Sequence, residues 1–183
     1  MKNSMNSRER SVVYVLGLFP YNIKIWVDKK TGYKCMMLYP RWLDITWGGS
    51  PPYWLWNRYK EMSKENIEVI KLAALCWLNV RGQFKMSELS PEVDYEIAYI
   101  IKIKNGASGW KLPVAPEIKN QSKEKVQKRA VSLLEKPRGD WIELNGGSFQ
   151  TKKGGTDDVL FNPYEHGGHW KKGLSSKYKM AAA

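Results

Sequence analysis

The chain has 183 residues, enough for one domain with its own core or for one domain plus an extension. Lys and Arg number 30 against 18 Asp and Glu, a formal net charge of +12. With 43% hydrophobic and 13% aromatic residues the chain is too apolar to be mainly disordered. Its longest apolar stretch, Val12 to Phe19, is less than half of the ~20 residues a membrane helix needs, so membrane insertion is excluded as an expectation.

In chain order, residues 1–33 read as an N-terminal extension with a mobile start and one added strand within Ser11 to Val27, followed by one domain over 34–180. Val12 to Phe19 ends in Phe19-Pro20-Tyr21 with no small-residue cleavage site, so it reads as a strand rather than a secretory signal, and the protein as cytosolic. Next comes an eleven-residue segment, Thr46 to Trp56, that carries Trp47, Trp54 and Trp56 around Gly48-Gly49-Ser50-Pro51-Pro52. Tyr53 to Tyr59 is read as a short helical turn after the double proline.

Period-two alternation, the mark of a half-buried strand, runs over Leu72, Ala74, Cys76, Leu78 and Val80, over Ile97, Tyr99, Ile101 and Ile103, and over Trp141 to Leu144. Turn signals separate these runs at Asn105-Gly106, Pro137-Arg138-Gly139-Asp140, Asn145-Gly146-Gly147 and Lys153-Gly154-Gly155. Lys123 to Leu134 fits a helix by the spacing of Val126, Ala130 and Leu134, while 128–134 fits a strand equally well. Many short strands with frequent turns point to an antiparallel sandwich or barrel.

The two cysteines, Cys35 and Cys76, sit in apolar runs and read as buried thiols, since neither a disulfide framework nor a zinc motif is present. The excess positive charge is densest at Lys119 to Arg129 and in the tail at Lys171, Lys172, Lys177 and Lys179. These read as solvated lysines, or as a weak contact for RNA or an acidic partner. His166 and His169 form an HxxH pair in a glycine-rich segment that suits no metal motif, so no metal site or cofactor is expected. No Ser-His-Asp order, phosphate-binding glycine loop or GxSxG motif occurs, and no catalytic residue is assigned.

Nine tryptophans are many for this length. Most serve a core, but indoles on a Gly, Ser and Pro loop lie at the surface and make stacking platforms for nucleobases, proline-rich peptides or sugar rings. The basic charge favours nucleobases, whereas neighbouring carboxylates favour the sugar, because an ionised carboxylate accepts several hydroxyl hydrogen bonds. Asp157, Asp158 and Glu165 flank Val159-Leu160-Phe161 and are candidates for that second wall.

The block Lys34-Cys35-Met36-Met37-Leu38, Arg41-Trp42-Leu43-Asp44-Ile45-Thr46-Trp47 and Pro52-Tyr53-Trp54-Leu55-Trp56 resembles the opening of the phloem protein 2 family, the plant phloem lectins and Nictaba-like lectins. The resemblance continues in order through Leu75 to Gly82, Leu89-Ser90-Pro91 with Tyr95 to Ile103, Gly139 to Leu144, and Gly167 to Gly173. It departs where Gly139-Asp140-Trp141 inverts the family's Asp-Gly-Trp, and where Leu174 to Met180 replaces an apolar closing strand, which predicts a weak last strand and weakens any dimer built on it.

The resemblance implies an all-β, jelly-roll-like antiparallel sandwich that binds N-acetylglucosamine oligomers or glycoproteins bearing them, without catalysis. It implies a cytoplasmic (phloem sieve element) or nuclear protein, often a homodimer, with RNA association or cross-linking through cysteine as other family roles. It places sugar contact at Trp47 and Trp54 on one side and Asp158 and Glu165 on the other, with Tyr53 shaping the groove.

Overall fold

The computed structural model describes residues 23–60, 66–120 and 123–182. It shows two antiparallel sheets. One contains β1 (Ile23–Val27), β2 (Lys34–Leu38), β4 (Trp54–Lys60), β5 (Asn66–Leu72), β7 (Asp94–Ser108), β10 (Trp141–Gln150) and β12 (Lys172–Ala182). The other has the order β3-β6-β11-β8-β9, formed by β3 (Asp44–Ile45), β6 (Leu78–Lys85), β8 (Ala115–Asn120), β9 (Lys123–Lys128) and β11 (Asp158–Glu165). Short 3₁₀ turns cover Pro40–Trp42 and Met86–Glu88.

Alternation builds the core between these layers. In β6, Leu78, Val80, Gly82 and Phe84 point inward. In β11, Val159, Phe161, Pro163 and Glu165 do. Aromatic rings cross the interior: Phe84 lies 5.6 Å from Phe149, Tyr99 lies 6.4 Å from Phe161, and Tyr95 stacks on Phe149 at 5.7 Å. Gly82 stands opposite Phe161 because the ring occupies the space a Cβ would fill. Two of the buried rings pair their polar ends: the Tyr95 hydroxyl donates to the Lys34 carbonyl at 2.8 Å, and the Trp110 indole N–H to the Lys172 carbonyl at 3.1 Å. Cys35 is buried as expected, whereas Cys76 is only half-buried, and both are free thiols.

The all-β sandwich agrees with the sequence reading, but several elements are corrected. Tyr53 to Tyr59 is not a helical turn: Trp54 to Lys60 is paired residue by residue with β5. Lys123–Lys128 is a strand paired with β8, and Val131 forms a further bridge to Val114. The alternation from Leu72 to Val80 is not one strand. β5 ends at Leu72, the chain crosses to the other sheet, and β6 begins at Leu78.

Asn105-Gly106 lies within β7, and Asn145-Gly146-Gly147 within β10, where it is a bulge rather than a turn. The Asn145 side chain accepts the Gly147 N–H at 2.8 Å, Gly147 adopts φ +125°, and the Tyr99 ring leaves no room for a side chain at 146. The closing strand is not weak. β12 lies inside its sheet, paired with β7 on one side and with β5 and β2 on the other, and its Ser175 and Ser176 are buried. Val12 to Phe19 and the mobile start assigned to the first ten residues lie outside the described residues.

Candidate functional site

Three loops meet at one end of the sandwich. The Thr46 N–H donates to the Asn79 carbonyl at 3.1 Å, which joins the loop after β3 to the start of β6. Leu75 and Lys171 exchange backbone hydrogen bonds of 2.9 and 2.8 Å, which joins the β5–β6 crossover to the segment after β11.

The first loop is fixed from inside by two indoles. Trp54 is buried at 3% exposure and its N–H donates to the Thr46 carbonyl at 2.9 Å. Half-buried Trp56 donates to the Gly48 carbonyl at 2.8 Å, with the Arg41 guanidinium 3.8 Å above its ring. Consecutive turns, Gly48 N–H to Ile45 O and Ser50 N–H to Trp47 O, both 2.8 Å, coil the backbone. Trp47 takes the left-handed φ of +62°, which costs a bulky residue energy, and its indole stands 58% exposed with Tyr53 5.8 Å away at 51°. Exposed Trp47 thus meets half-buried Tyr53, which also packs against the core. Trp54 does not join them: its ring is a core residue, and its expected stacking role is corrected on that ground.

The carboxylate wall is also corrected. Asp158 and Glu165 sit at opposite ends of β11, an odd seven residues apart, which is roughly 23 Å at ~3.3 Å per residue and places them on opposite faces of the sheet. Asp158 is half-buried on the outer face opposite Lys85. Glu165 is 5% exposed and turned inward. Its Oε1 accepts the Gly167 N–H at 2.5 Å, and its Oε2 meets the ammonium of Lys171 and lies 3.3 Å from His169 Nε2. At 5% exposure and with these partners, Glu165 presents little carboxylate surface to a ligand. The separation also exceeds the ~5–9.5 Å between the two carboxylates of a glycosidase.

Lys171, in the tail that reads as solvated, is fully buried. Besides Glu165, its Nζ donates to the carbonyls of Gly167 and His169, each 3.2 Å away, and to that of Cys76. Burial holds its pKa below the usual lysine value. This one ammonium ties the β5–β6 crossover to the segment 165–171.

What the tie displays escaped the sequence reading. Trp77 is 56% exposed, its ring 4.6 Å from His166, which in turn lies 4.8 Å from Tyr164. Burial, and then the charge of Arg81, push the His166 pKa below its ordinary value. Beside the rings, with its amide turned to satisfy both neighbours, Asn79 accepts from Arg81 Nε and Nη2 at 3.1 and 3.0 Å and donates to Asn162 Oδ1 at 2.8 Å. Trp77 was hidden in an apolar run. Alternation along β11 was the available signal, since it sets Asn162, Tyr164 and His166 on one outward face.

The family model of phloem protein 2 matches residues 33–177. The chain is 40% identical over 157 residues to PHLOEM PROTEIN 2-LIKE A1 of Arabidopsis thaliana, covering 85% of this chain and 63% of that relative's length. It is 38% identical over 144 residues to a lectin of Luffa acutangula, covering 78% of this chain and 68% of the lectin. Among solved structures, it is similar to the CBM22-1 xylan-binding domain of Paenibacillus barcinonensis Xyn10C, with a TM-score of 0.40, 12% identity and coverage of 76% of this chain and 85% of that one. The match covers β2 to β11, the first half of β12 and all three loops of the indole-bearing end, and the chain belongs to the phloem protein 2 family.

Proposed function

We propose that this chain is a lectin that binds oligosaccharides of N-acetylglucosamine, as chitin fragments or N-glycan cores, by stacking and hydrogen bonding without altering them. The observation that carries the reading is Trp47: a 58% exposed indole held at positive φ, with Tyr53 beside it, on a loop fixed by the N–H groups of Trp54 and Trp56. Nothing in core packing calls for an exposed indole at a strained backbone position, whereas a sugar ring laid on it buries its apolar C–H face and leaves its hydroxyls to polar neighbours. The lectin names of relatives support the reading. Each hydrogen bond to such a ligand gives about 0.5–1.5 kcal/mol net, so single-ring affinity is low and rises with oligomer length.

Calorimetry with tri-N-acetylchitotriose tests this. Trp47→Ala is expected to weaken binding at least tenfold with the thermal midpoint unchanged. Equal affinity in wild type and variant rejects Trp47 as the platform. No sugar binding, together with single-stranded RNA bound at an affinity that falls steeply with salt, points instead to phosphate contacts and an RNA ligand, because counterion release belongs to phosphate and not to a neutral sugar.

A further inference from the structure

Outside the Trp47 loop, one group of side chains has the composition of a binding site and no role in the core. Trp77, His166 and Tyr164 form a continuous run of rings with successive centroid distances of 4.6 and 4.8 Å. They lie along the outward face at the junction of β6 and β11, where Tyr164 is the register partner of Asn79. Asn79, Asn162 and Arg81 adjoin them as a connected set of amide and guanidinium groups.

We propose that this outward face is a second carbohydrate subsite, which takes a neutral β-linked pyranose residue on Trp77 and His166 and hydrogen-bonds its hydroxyl or acetamide groups through Asn162 and Arg81. Three observations carry it. First, Trp77 is 56% exposed although it follows Leu75 and precedes Leu78, both buried, so the chain turns this indole out of an otherwise apolar run. Second, the rings are preset. The buried Lys171 ammonium donates to the carbonyl of Cys76, the residue before Trp77, and to that of Gly167, the residue after His166. Both rings therefore hang from backbone anchored to one atom, and little ordering remains to be done on binding. Third, the ligand chemistry follows from the neighbours. A ring run bordered by amides and a guanidinium offers donors and acceptors together, which suits hydroxyl and acetamide groups that both donate and accept.

The subsite rests on the lectin reading above and deepens it. The Thr46–Asn79 hydrogen bond sets Trp47 one residue from the junction and Trp77 two residues from it, on adjoining chain segments. The two platforms thus belong to the same end of the sandwich, and the proposal has one oligosaccharide span both.

Calorimetry of the full chain with di-, tri- and hexa-N-acetylchitooligosaccharides, on wild type, Trp47→Ala, Trp77→Ala and His166→Ala, tests it, with thermal unfolding as the check of fold. The expected result is that Trp77→Ala lowers affinity for the hexamer at least tenfold, that His166→Ala lowers it by a smaller factor, and that the gain from trimer to hexamer shrinks in both. If Trp47→Ala loses binding while Trp77→Ala and His166→Ala keep wild-type affinity and length dependence, the second subsite is overturned and the lectin reading stands. If wild type binds none of the oligomers, both are overturned. Should Trp77→Ala lower the thermal midpoint, Trp77→Phe, which keeps a flat ring, is expected to retain a part of the hexamer affinity that Ala loses. No difference between the two rejects stacking.

Discussion

Replacing Lys171 by methionine keeps an unbranched chain out to the ε position but removes the ammonium from a site with no exposure to solvent. The loss is more than one contact. Glu165 is left with a buried carboxylate whose Oε1 still accepts the Gly167 N–H while Oε2 loses its only ammonium, and the carbonyls of Cys76, Gly167 and His169 each lose a donor. Removing one partner of a buried ion pair costs about 3–5 kcal/mol, because the remaining charge stays desolvated. For a chain of this length each kcal/mol shifts the thermal midpoint by about 2–4 °C, so Lys171→Met is expected to lower it by roughly 6–20 °C. Circular dichroism during heating reads this directly. The double variant Glu165→Gln with Lys171→Met removes the uncompensated charge and is expected to recover a substantial part of the loss. If Lys171→Met unfolds within about 2 °C of wild type, the buried ammonium is not the tie that holds the two loops, and the reasoning fails.

Trp54→Ala empties a core position and frees the Thr46 carbonyl, so a loss of about 3–5 kcal/mol in urea unfolding is expected, against less than about 0.5 kcal/mol for Trp47→Ala at the exposed position. Gly82→Ala drives a methyl into the Phe161 ring across the β6–β11 pair and is expected to cost about 1–3 kcal/mol by the same measurement. His166 has a folded pKa below its ordinary 6.5, so the unfolded chain binds the proton more readily. Its contribution to stability is complete above pH 6.5 and declines as pH falls through the lower folded value. Urea midpoints between pH 7.5 and 5 are expected to fall less in His166→Asn than in wild type.

The strands with clean alternation were legible because one face of each meets the opposite layer; Ile97, Tyr99, Ile101 and Ile103 in β7 are all buried. The crossover at 73–77 was not, since Ala74 and Cys76 carry the apolar spacing from Leu72 to Leu78 through a change of sheet, although the buried residue there is Leu75, which bridges to Lys171. Glycine misled in the opposite direction. Gly146 reads as a turn, but its missing side chain makes room for the Tyr99 ring inside a strand.

At the site, the family resemblance supplied residue identities without their partners. Trp47 stands at the surface beside half-buried Tyr53, whereas Trp54 and Glu165 turn inward as supports. Lys171 lay in a basic run that reads as solvated. Only the paired strands reveal that it faces Glu165, and with it why Trp77 and His166 are held side by side.

The ligand-facing indoles can be distinguished from the buried ones in a single titration. The nine tryptophans each give one indole N–H signal in a nitrogen–proton NMR spectrum. On addition of hexa-N-acetylchitohexaose, the signals of Trp47 and Trp77 are expected to shift together while those of Trp54, Trp56 and Trp110 stay in place. Shifts confined to other indoles, or no shift at saturating sugar, contradict a carbohydrate site at this end of the sandwich.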